Sequence, residues 1–195
     1  GGSLWLRTRQ LSKRYRKGYR VADQRGRMGG KTPISQRPAR VQHRREFGHW
    51  EGDTVMGKDG RDCLLTLVER MTRWVRIIKL PARQAVEVNK ALAREIRRGV
   101  LKMKSLTLDN GTEFHGFQQL QDEFGIDVYF AQPYHSWERG TNENTNGLLR
   151  EFFPKGSNFK KFTHQAVAKA VRQLNNRPRK CLDFRTPHEV LSQIF

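Results

Sequence analysis

This sequence has few cysteines, few acidic residues and no long hydrophobic run, and each shortage excludes a class of protein. Its two cysteines, Cys63 and Cys181, lack metal-ligand spacing and fit a reducing interior better than a disulfide framework. No apolar run approaches the roughly 18 residues of a membrane span. The start, GGSLWLRTRQ, lacks the apolar segment of a signal peptide. We therefore expect a cytoplasmic protein.

The shortage of acids leaves the chain strongly basic. It has 38 lysines and arginines against 19 aspartates and glutamates, for a formal net charge of +19. Such a surplus indicates a polyanionic partner, usually nucleic acid, with a ribosome-bound or lipid-bound protein as the alternative. Residues 1–48 carry 14 basic and two acidic residues, a net charge of +12, which leaves +7 for the rest. We interpret residues 1–48 as a basic N-terminal arm and residues 49–195 as the folded core.

The arm has two parts. Residues 4–20, LWLRTRQLSKRYRKGYR, predict a short basic helix, and residues 21–48, which include GRMGGKTP, predict an extended linker rather than a packed unit. Such an arm can lie along phosphates, each contact adding salt-dependent affinity. A disordered, solubilising tail is the alternative.

After residue 48 the sequence alternates between strand and helix patterns. Three short apolar runs separated by turn signals predict an antiparallel meander over residues 49–58, 62–70 and 74–80. Two further strands are predicted at 105–109 and 126–132, and helices at 82–99, 116–124, 140–153, 164–176 and 187–194. This order predicts an α/β domain with a mixed five-stranded sheet and helices on both faces.

Three carboxylates occupy notable positions in this frame. Asp53 lies inside the first predicted strand, where aspartate is depleted, and Asp109 ends the fourth, before the turn Asn110-Gly111. Glu143 lies early in a helix, where the helix dipole favours a carboxylate. Taken singly, solvent exposure, turn chemistry or the dipole explains each of them. Because the first and fourth strands would be neighbours, Asp53 and Asp109 can converge at one sheet edge, and a crossing helix can bring Glu143 there.

Three carboxylates gathered in one place would repel each other unless cations joined them. Hard divalent cations with oxygen ligands, Mg²⁺ or Mn²⁺, suit such a site. Two ions about 3.5–4 Å apart can activate an attacking oxygen and stabilise a leaving oxygen at a phosphodiester. The three acids therefore predict a two-metal phosphodiester site.

Other polar residues cluster around these acids in the sequence. Arg139, Asn146 and Arg150 share a helix face with Glu143, and a carboxylate between two arginines can bind metal and phosphate together. The alternative is ordinary ion pairing on a solvated face. Trp137 could stack on a splayed base or pack into a core or interface.

Five further positions complete the candidate site. Two arginines at a basic helix end, Arg177 and Arg179, could contact phosphate or merely cap the helix. Three residues beside the acids, Asn110, Glu113 and His135, could orient metal-bound water or phosphate, although a lone histidine more often packs or lies on the surface.

Several segments together resemble a known family. GDTV, LDNGTEF, PYHSWERGTNENTNGLLREFFPKG and LNNRPRKCLDFRTPHEVL are similar to the DDE transposases of the IS30 insertion-sequence family and, more distantly, to retroviral integrase cores. The resemblance covers residues 40–195 strongly, and the block 133–155 is its most specific part. It implies a ribonuclease H-like fold, with Asp53, Asp109 and Glu143 as the catalytic triad. It also implies Mg²⁺-dependent hydrolysis at element ends, followed by attack of the freed 3′-hydroxyl on another DNA strand.

The resemblance carries further expectations. The partners would be element ends and a target duplex, with no membrane, and the protein would act in the bacterial nucleoid as a dimer or larger assembly. A Tyr-Arg-Glu-Lys signature of some transposases is matched by Arg139 and Glu143, with Arg150 in place of Lys and Ser136 in place of Tyr. Family members usually carry an N-terminal helix-turn-helix region. Residues 1–48 show no such pattern, so we expect general DNA affinity without specific reading of element ends.

Two other functions stay open. One is a ribonuclease H-like nuclease that cleaves without joining. The other is a DNA-binding regulator whose acids no longer catalyse a reaction, and salt-sensitive DNA binding without a metal-dependent product would favour it.

Overall fold

The computed structural model describes residues 29–60, 62–133 and 135–195, so the helix predicted over residues 4–20 lies outside the described part. The strands are β1 (Thr32–Pro33), β2 (His49–Met56), β3 (Cys63–Glu69), β4 (Val75–Leu80), β5 (Ser105–Leu108) and β6 (Asp127–Phe130). The helices are α1 (Ala39–Gln42), α2 (Ala85–Arg97), α3 (Phe117–Phe124), α4 (Gly140–Phe152), α5 (His164–Asn175) and α6 (Pro187–Ser192). None of these helices has the length and apolar content of a membrane span.

The six strands form one mixed sheet in the order β1-β6-β5-β2-β3-β4. Strands β2, β3 and β4 form the predicted antiparallel meander. Strand β5 then runs parallel to β2, and β6 runs parallel to β5. Parallel neighbours need crossover connections, and α2 and α3 supply them. The predicted pairing of the first and fourth strands of the core, β2 and β5, is confirmed.

Helices cover both faces of the sheet, as predicted. On one face, α2 and α3 pack against apolar side chains of β2, β5 and β6, including Trp50, Leu106 and Val128. On the other, α4 and α5 pack against Val55, Leu64 and other residues of β2, β3 and β4. Burial of these side chains is the main driving force for the fold. All seven residues of β3 are buried, which fits a strand covered on both faces.

The prediction of five strands is wrong by one. Strand β1 lies in the predicted linker and pairs in parallel with β6, with Thr32 opposite Tyr129. Ile34 and Val41, which follow β1, are buried. The prediction of an unpacked linker is therefore wrong for residues 32–42, which join the sheet ahead of the predicted boundary at residue 49. A two-residue strand is too short for a period-two pattern to appear in the sequence.

A buried ion pair connects β2 to the start of α4. The Glu51 carboxylate is fully buried and accepts a hydrogen bond from Nη1 of Arg70, which is buried as well. The other carboxylate oxygen, Oε2, accepts the backbone N–H of Asn142 at 3.1 Å. Removing one member of a buried pair leaves a charge without a partner in a medium of low dielectric. Glu51 therefore links three elements through contacts that are costly to break.

We expect Glu51→Gln to lower the free energy of unfolding by about 3 kcal/mol or more, because the Arg70 guanidinium stays buried without its counter-charge. Urea denaturation measures this loss. The matched control is Glu123→Gln, which breaks the exposed pair with Arg97 and should cost about 1 kcal/mol or less. Adding Arg70→Met to Glu51→Gln should restore a large part of the stability. Equal, small losses in Glu51→Gln and Glu123→Gln would contradict a structural role for the buried pair.

Candidate active site

The parallel pairing of β2 and β5 determines where the two predicted aspartates lie. Glu51 stands opposite Thr107 in this ladder. Asp53 and Asp109 each follow two residues later, and both strands run in the same direction. The two carboxylates therefore reach the same edge of the sheet, as the sequence predicted.

One guanidinium joins the two aspartates. Nη2 of Arg139 donates to Oδ2 of Asp109 at 3.0 Å, and Nη1 lies 3.9 Å from Oδ1 of Asp53. Nη1 also donates to the carbonyl oxygen of Gly52 at 2.8 Å. Arg139 ends a 3₁₀ turn, Ser136–Arg139, directly before α4, and its side chain is only 12% exposed. The sequence predicted Arg139 as a DNA contact. In the structure it supplies the positive charge between Asp53 and Asp109.

Helix α4 reaches Asp53 through an amide. Nδ2 of Asn146 donates to Oδ2 of Asp53 at 2.8 Å, and the backbone N–H of Thr54 donates to Oδ1 at 2.8 Å. Oγ1 of Thr66 donates to Oδ1 of Asn146 at 3.0 Å and so orients this amide. Thr66 faces Asp53 across the β2–β3 ladder, a neighbour that the predicted meander implied but that sequence reasoning did not use. Asn146, predicted to bind DNA, is thus an Asp53 partner in this structure.

The environment of Asp53 makes it easier to protonate than an ordinary aspartate. Burial raises the pKa of Asp53 to about 6; the Arg139 charge acts against this rise, and the Asp109 charge adds to it. The carboxyl group is therefore mostly protonated below about pH 6, where a bound cation would compete with the proton.

A third carboxylate, Glu113, lies buried behind the Asp109 turn. Its Oε1 accepts from Oγ1 of Thr54 at 2.6 Å and pairs with Arg83, also at 2.6 Å. Its Oε2 is buried with no hydrogen-bond partner among the described residues. A Cβ atom at Gly111 would collide with this Oε2 and lie 2.9 Å from Oδ1 of Asp109. A side chain at this position would have to displace the Glu113 carboxylate, so the turn after Asp109 is confined between two carboxylates. Sequence reasoning overlooked Arg83, and nothing in the local pattern marks it.

Glu143 lies apart from the aspartates. It occupies the first turn of α4, three residues before Asn146, so the two share a helix face. Its side chain is exposed, and no hydrogen bond or ion pair links it to Asp53 or Asp109 in the described part of the chain. Within that part, no three His, Cys, Asp or Glu residues form a group able to hold a metal ion. The structure thus brings two of the three predicted acids together and leaves the third on the neighbouring helix face.

Asn110 lies in the turn after Asp109, and His135 and Trp137 follow β6 in the chain. Oδ1 of Asn110 accepts from Nζ of Lys31 at 2.7 Å, and its Nδ2 donates to the carbonyl oxygen of Ala131 at 2.7 Å. Asn110 therefore fixes the ends of β5 and β6 relative to each other. The rings of His135 and Trp137 stack with centroids 4.4 Å apart, and Trp137 is 68% exposed.

The three remaining predicted arginines have structural partners. Arg150 donates to the carbonyl oxygens of Met56 and Phe153, at 3.4 and 3.3 Å, and so stabilises the C-terminal end of α4. Arg177 forms an exposed ion pair with Glu151. Arg179 donates to the carbonyl oxygen of Leu174 at 3.0 Å, near the end of α5.

Comparison with known proteins relates this site to a family. The family model described as "Integrase core domain" matches residues 43–136, a range that contains Asp53 and Asp109 and ends before Glu143. Residues 43–136 are therefore similar to an integrase core domain. A crystal structure of the catalytic core domain of BIV integrase superposes with a TM-score of 0.57 at 22% identity, over 73% of this chain and 91% of that one. The shared fold confirms the predicted ribonuclease H-like architecture.

Its sequence relatives are transposases of the IS30 type. The transposase for insertion sequence element IS4351 of Bacteroides fragilis is 39% identical over 194 residues, which covers 100% of this chain and 60% of that protein. Transposase InsI for IS30A of Escherichia coli is 41% identical over 163 residues, which covers 83% of this chain and 42% of InsI. The chain thus spans about half the length of these relatives.

The family implies divalent metal ions, and the donor atoms at the site fit them. Asp53 and Asp109 supply carboxylate oxygens at one sheet edge, which is the ligand type that hard divalent cations bind. Oε2 of Glu113 is buried with no hydrogen-bond partner among the described residues. Burial is the main cause of the raised pKa of Asp53, and the negative charge of Asp109 adds to it. These carboxylates therefore suit a divalent cation in addition to Arg139.

The pKa of Asp53 predicts a pH-dependent stability. Because its pKa is about 6 in the folded protein against 3.8 in the reference state, the folded state binds more protons between these values. The contribution of Asp53 to the stability of the protein should therefore fall as the pH rises from about 4 to about 6. In EDTA, Asp53→Asn should be more stable than the parent protein at pH 7.5, by about 1–3 kcal/mol, and no more stable at pH 4. Urea denaturation at both pH values measures the difference.

A divalent ion should reverse that difference. At pH 7.5, millimolar Mg²⁺ should stabilise the parent protein and leave Asp53→Asn unchanged, because a ligand that binds only the folded state stabilises it by mass action. Equal stabilisation of both proteins would place the ion elsewhere. The matched control is Asp122→Asn on the exposed surface of α3, which should behave like the parent protein.

Proposed function

We propose that this chain is the catalytic domain of an insertion-sequence DNA transposase. Its reaction is hydrolysis of a phosphodiester at an element end, followed by attack of the freed 3′-hydroxyl on a target strand. The relatives named above are transposases, and this chain aligns along most of its length with roughly half of theirs. We therefore assign their transposase reaction to the part that this chain shares with them.

The main support is the convergence of Asp53 and Asp109 on one guanidinium, directly beyond the parallel pairing of β2 and β5. In open α/β sheets, ligands bind at the carboxyl ends of the strands. Asp53 lies within β2 and Asp109 directly follows β5, so the sheet holds both carboxylates in position.

The proposal gives each acid a role. Asp53 and Asp109 would hold divalent ions, Mg²⁺ or Mn²⁺, and Glu143 would complete the set by turning its exposed side chain toward Asp53. The bound ions supply Lewis-acid stabilisation of the phosphodiester and lower the pKa of the attacking water or hydroxyl. Asn146 and Thr66 orient Asp53, and Arg139 contacts a phosphate oxygen within reach of the aspartates. No covalent enzyme intermediate is formed.

The remaining predicted contacts belong to DNA binding. The exposed Trp137, stacked on His135, offers a ring face to a splayed base near the scissile bond. Arg150, Arg177 and Arg179 add positive charge beside α4 and α5. Two element ends must be cut together, so we expect a dimer or larger assembly on DNA in the bacterial nucleoid, with Asn110, Glu113 and His135 supporting the acids.

Strand transfer tests this function directly. A labelled duplex carrying a nick with a free 3′-hydroxyl is incubated with an unlabelled target plasmid, the protein, and Mg²⁺ or Mn²⁺. We expect label to join the plasmid, and EDTA to abolish joining. Asp53→Asn and Glu143→Gln should each reduce joining by at least about 100-fold, since even residues outside the metal shell cost 10–100-fold when removed.

Surface substitutions of the same chemistry serve as controls. Asp122→Asn on α3 and Glu87→Gln on α2 should leave joining unchanged. Hydrolysis products without joined plasmid would instead indicate a nuclease. Joining that persists in Glu143→Gln would remove this residue from the site, and DNA binding without any metal-dependent product would contradict the proposed function.

A further inference from the structure

A basic site lies on the other side of the α4 N-terminus from the aspartates. A cavity of about 210 Å³ opens there, and its lining includes Arg44, Arg73, Arg179, Thr141, Asn144 and Cys181. No acidic side chain lines it among the described residues. Three arginines and several hydroxyl and amide groups around one cavity provide hydrogen-bond donors for an anion.

The arginines in this cavity are under mutual repulsion. Partial burial of its guanidinium lowers the pKa of Arg44, and the charges of Arg73 and Arg70 lower it further, while Glu51 acts in the opposite direction. Nη1 of Arg73 donates to Oγ1 of Thr141 at 2.8 Å, so its guanidinium lies against the first turn of α4. Nε of Arg73 is buried with no hydrogen-bond partner in the described part of the chain. The cavity thus combines surplus positive charge with an unsatisfied donor.

The start of α4 adds to the same field. Arg139, in the N-cap position, makes no capping hydrogen bond of its own, because it turns toward the aspartates. Glu51 accepts the backbone N–H of Asn142, and the positive end of the α4 dipole also faces the cavity at Thr141 and Asn144. An anion held in the cavity would interact favourably with this dipole and relieve the repulsion between the arginines.

We propose that this cavity binds a backbone phosphate of the DNA strand whose scissile phosphate lies at Asp53 and Asp109. The inference rests on the proposed function for the identity of the strand. Arginine forks suit phosphate oxygens, which they contact with two parallel hydrogen bonds. Arg139 and Thr141 are two residues apart, so one short segment joins the phosphate cavity to the aspartate pair. Phosphate binding here would fix the position of the strand relative to the aspartates.

Cys181 provides a probe that does not depend on activity. It is free and exposed in the cavity lining, whereas the other cysteine, Cys63, is buried. Alkylation of the full chain by a fluorescent maleimide is measured with and without a duplex DNA, beside DNA binding by fluorescence anisotropy. We expect bound DNA to slow labelling of Cys181 by at least about tenfold in low salt, and the protection to vanish as salt releases the phosphates.

Charge-removing variants assign the protection to the cavity. Arg44 is exposed, so Arg44→Gln should fold normally; Arg73→Gln tests the buried donor. Each should reduce Cys181 protection and lower the slope of log affinity against log salt by about one. The matched control is Arg98→Gln, an exposed arginine at the end of α2, which should leave both quantities unchanged. An unchanged slope in Arg44→Gln and Arg73→Gln would overturn the proposal.

The two proposals fail in different ways. If strand transfer occurs while Cys181 stays fully reactive in bound DNA, phosphate binding in the cavity is contradicted and the transposase function is supported. If Cys181 is protected but no strand transfer occurs, the cavity is supported as a DNA phosphate site and the proposed reaction is contradicted. Protection by inorganic phosphate at the same concentration of phosphate groups, with none by DNA, would show an anion site off the path of the strand and overturn this inference.

Discussion

The buried carboxylate of Glu51 holds together the parts that the site requires. It binds Arg70 next to β3 and the backbone of Asn142 in α4, and it lies two residues before Asp53 on β2. A charge with no access to water tolerates little displacement, because every ångström of separation from its partners costs free energy in a low dielectric. The sheet and α4 are therefore fixed relative to each other at the point where Asp53 meets Asn146.

Charge balance explains the rest of the site. A strongly basic chain concentrates carboxylates at one sheet edge and places an arginine between two of them. On the far side of the same helix N-terminus, the described lining of the cavity contains arginines and no acidic side chain. The two sides have opposite needs: one has negative charge in excess and suits cations, and the other has positive charge in excess and suits phosphate. A DNA strand with its bound ions matches both.

The sequence predicted the strands and helices whose residue pattern repeats over several positions. The meander, β5, β6 and the five longer helices follow from apolar periodicity and turn residues, and the parallel neighbours β2 and β5 follow from their order. Strand β1 was missed because two residues carry no period. The joining of Asp53 and Asp109 was predicted, since strand direction and register determine it.

The contact partners of individual side chains could not be predicted in the same way. Arg139 contacts the aspartates and Arg150 contacts backbone carbonyls, although both were predicted to lie on the same helix face as Glu143. The difference arises from the 3₁₀ turn that turns Arg139 inward, which no local signal predicts. Arg83 and Lys31 reach Glu113 and Asn110 from distant segments, so only the folded chain brings them to the site.

The short strand β1 has a consequence for everything that precedes it in the chain. Its pairing with β6, and the contact from Lys31 to Asn110, anchor residue 31 beside the Asp109 turn. Any segment attached ahead of that point is tethered to the site, so its local concentration there is set by the length of the tether rather than by the protein concentration in solution. For tethers of short flexible chain, such effective concentrations reach the millimolar range. Even weakly binding basic residues would then be available to DNA held at the aspartates.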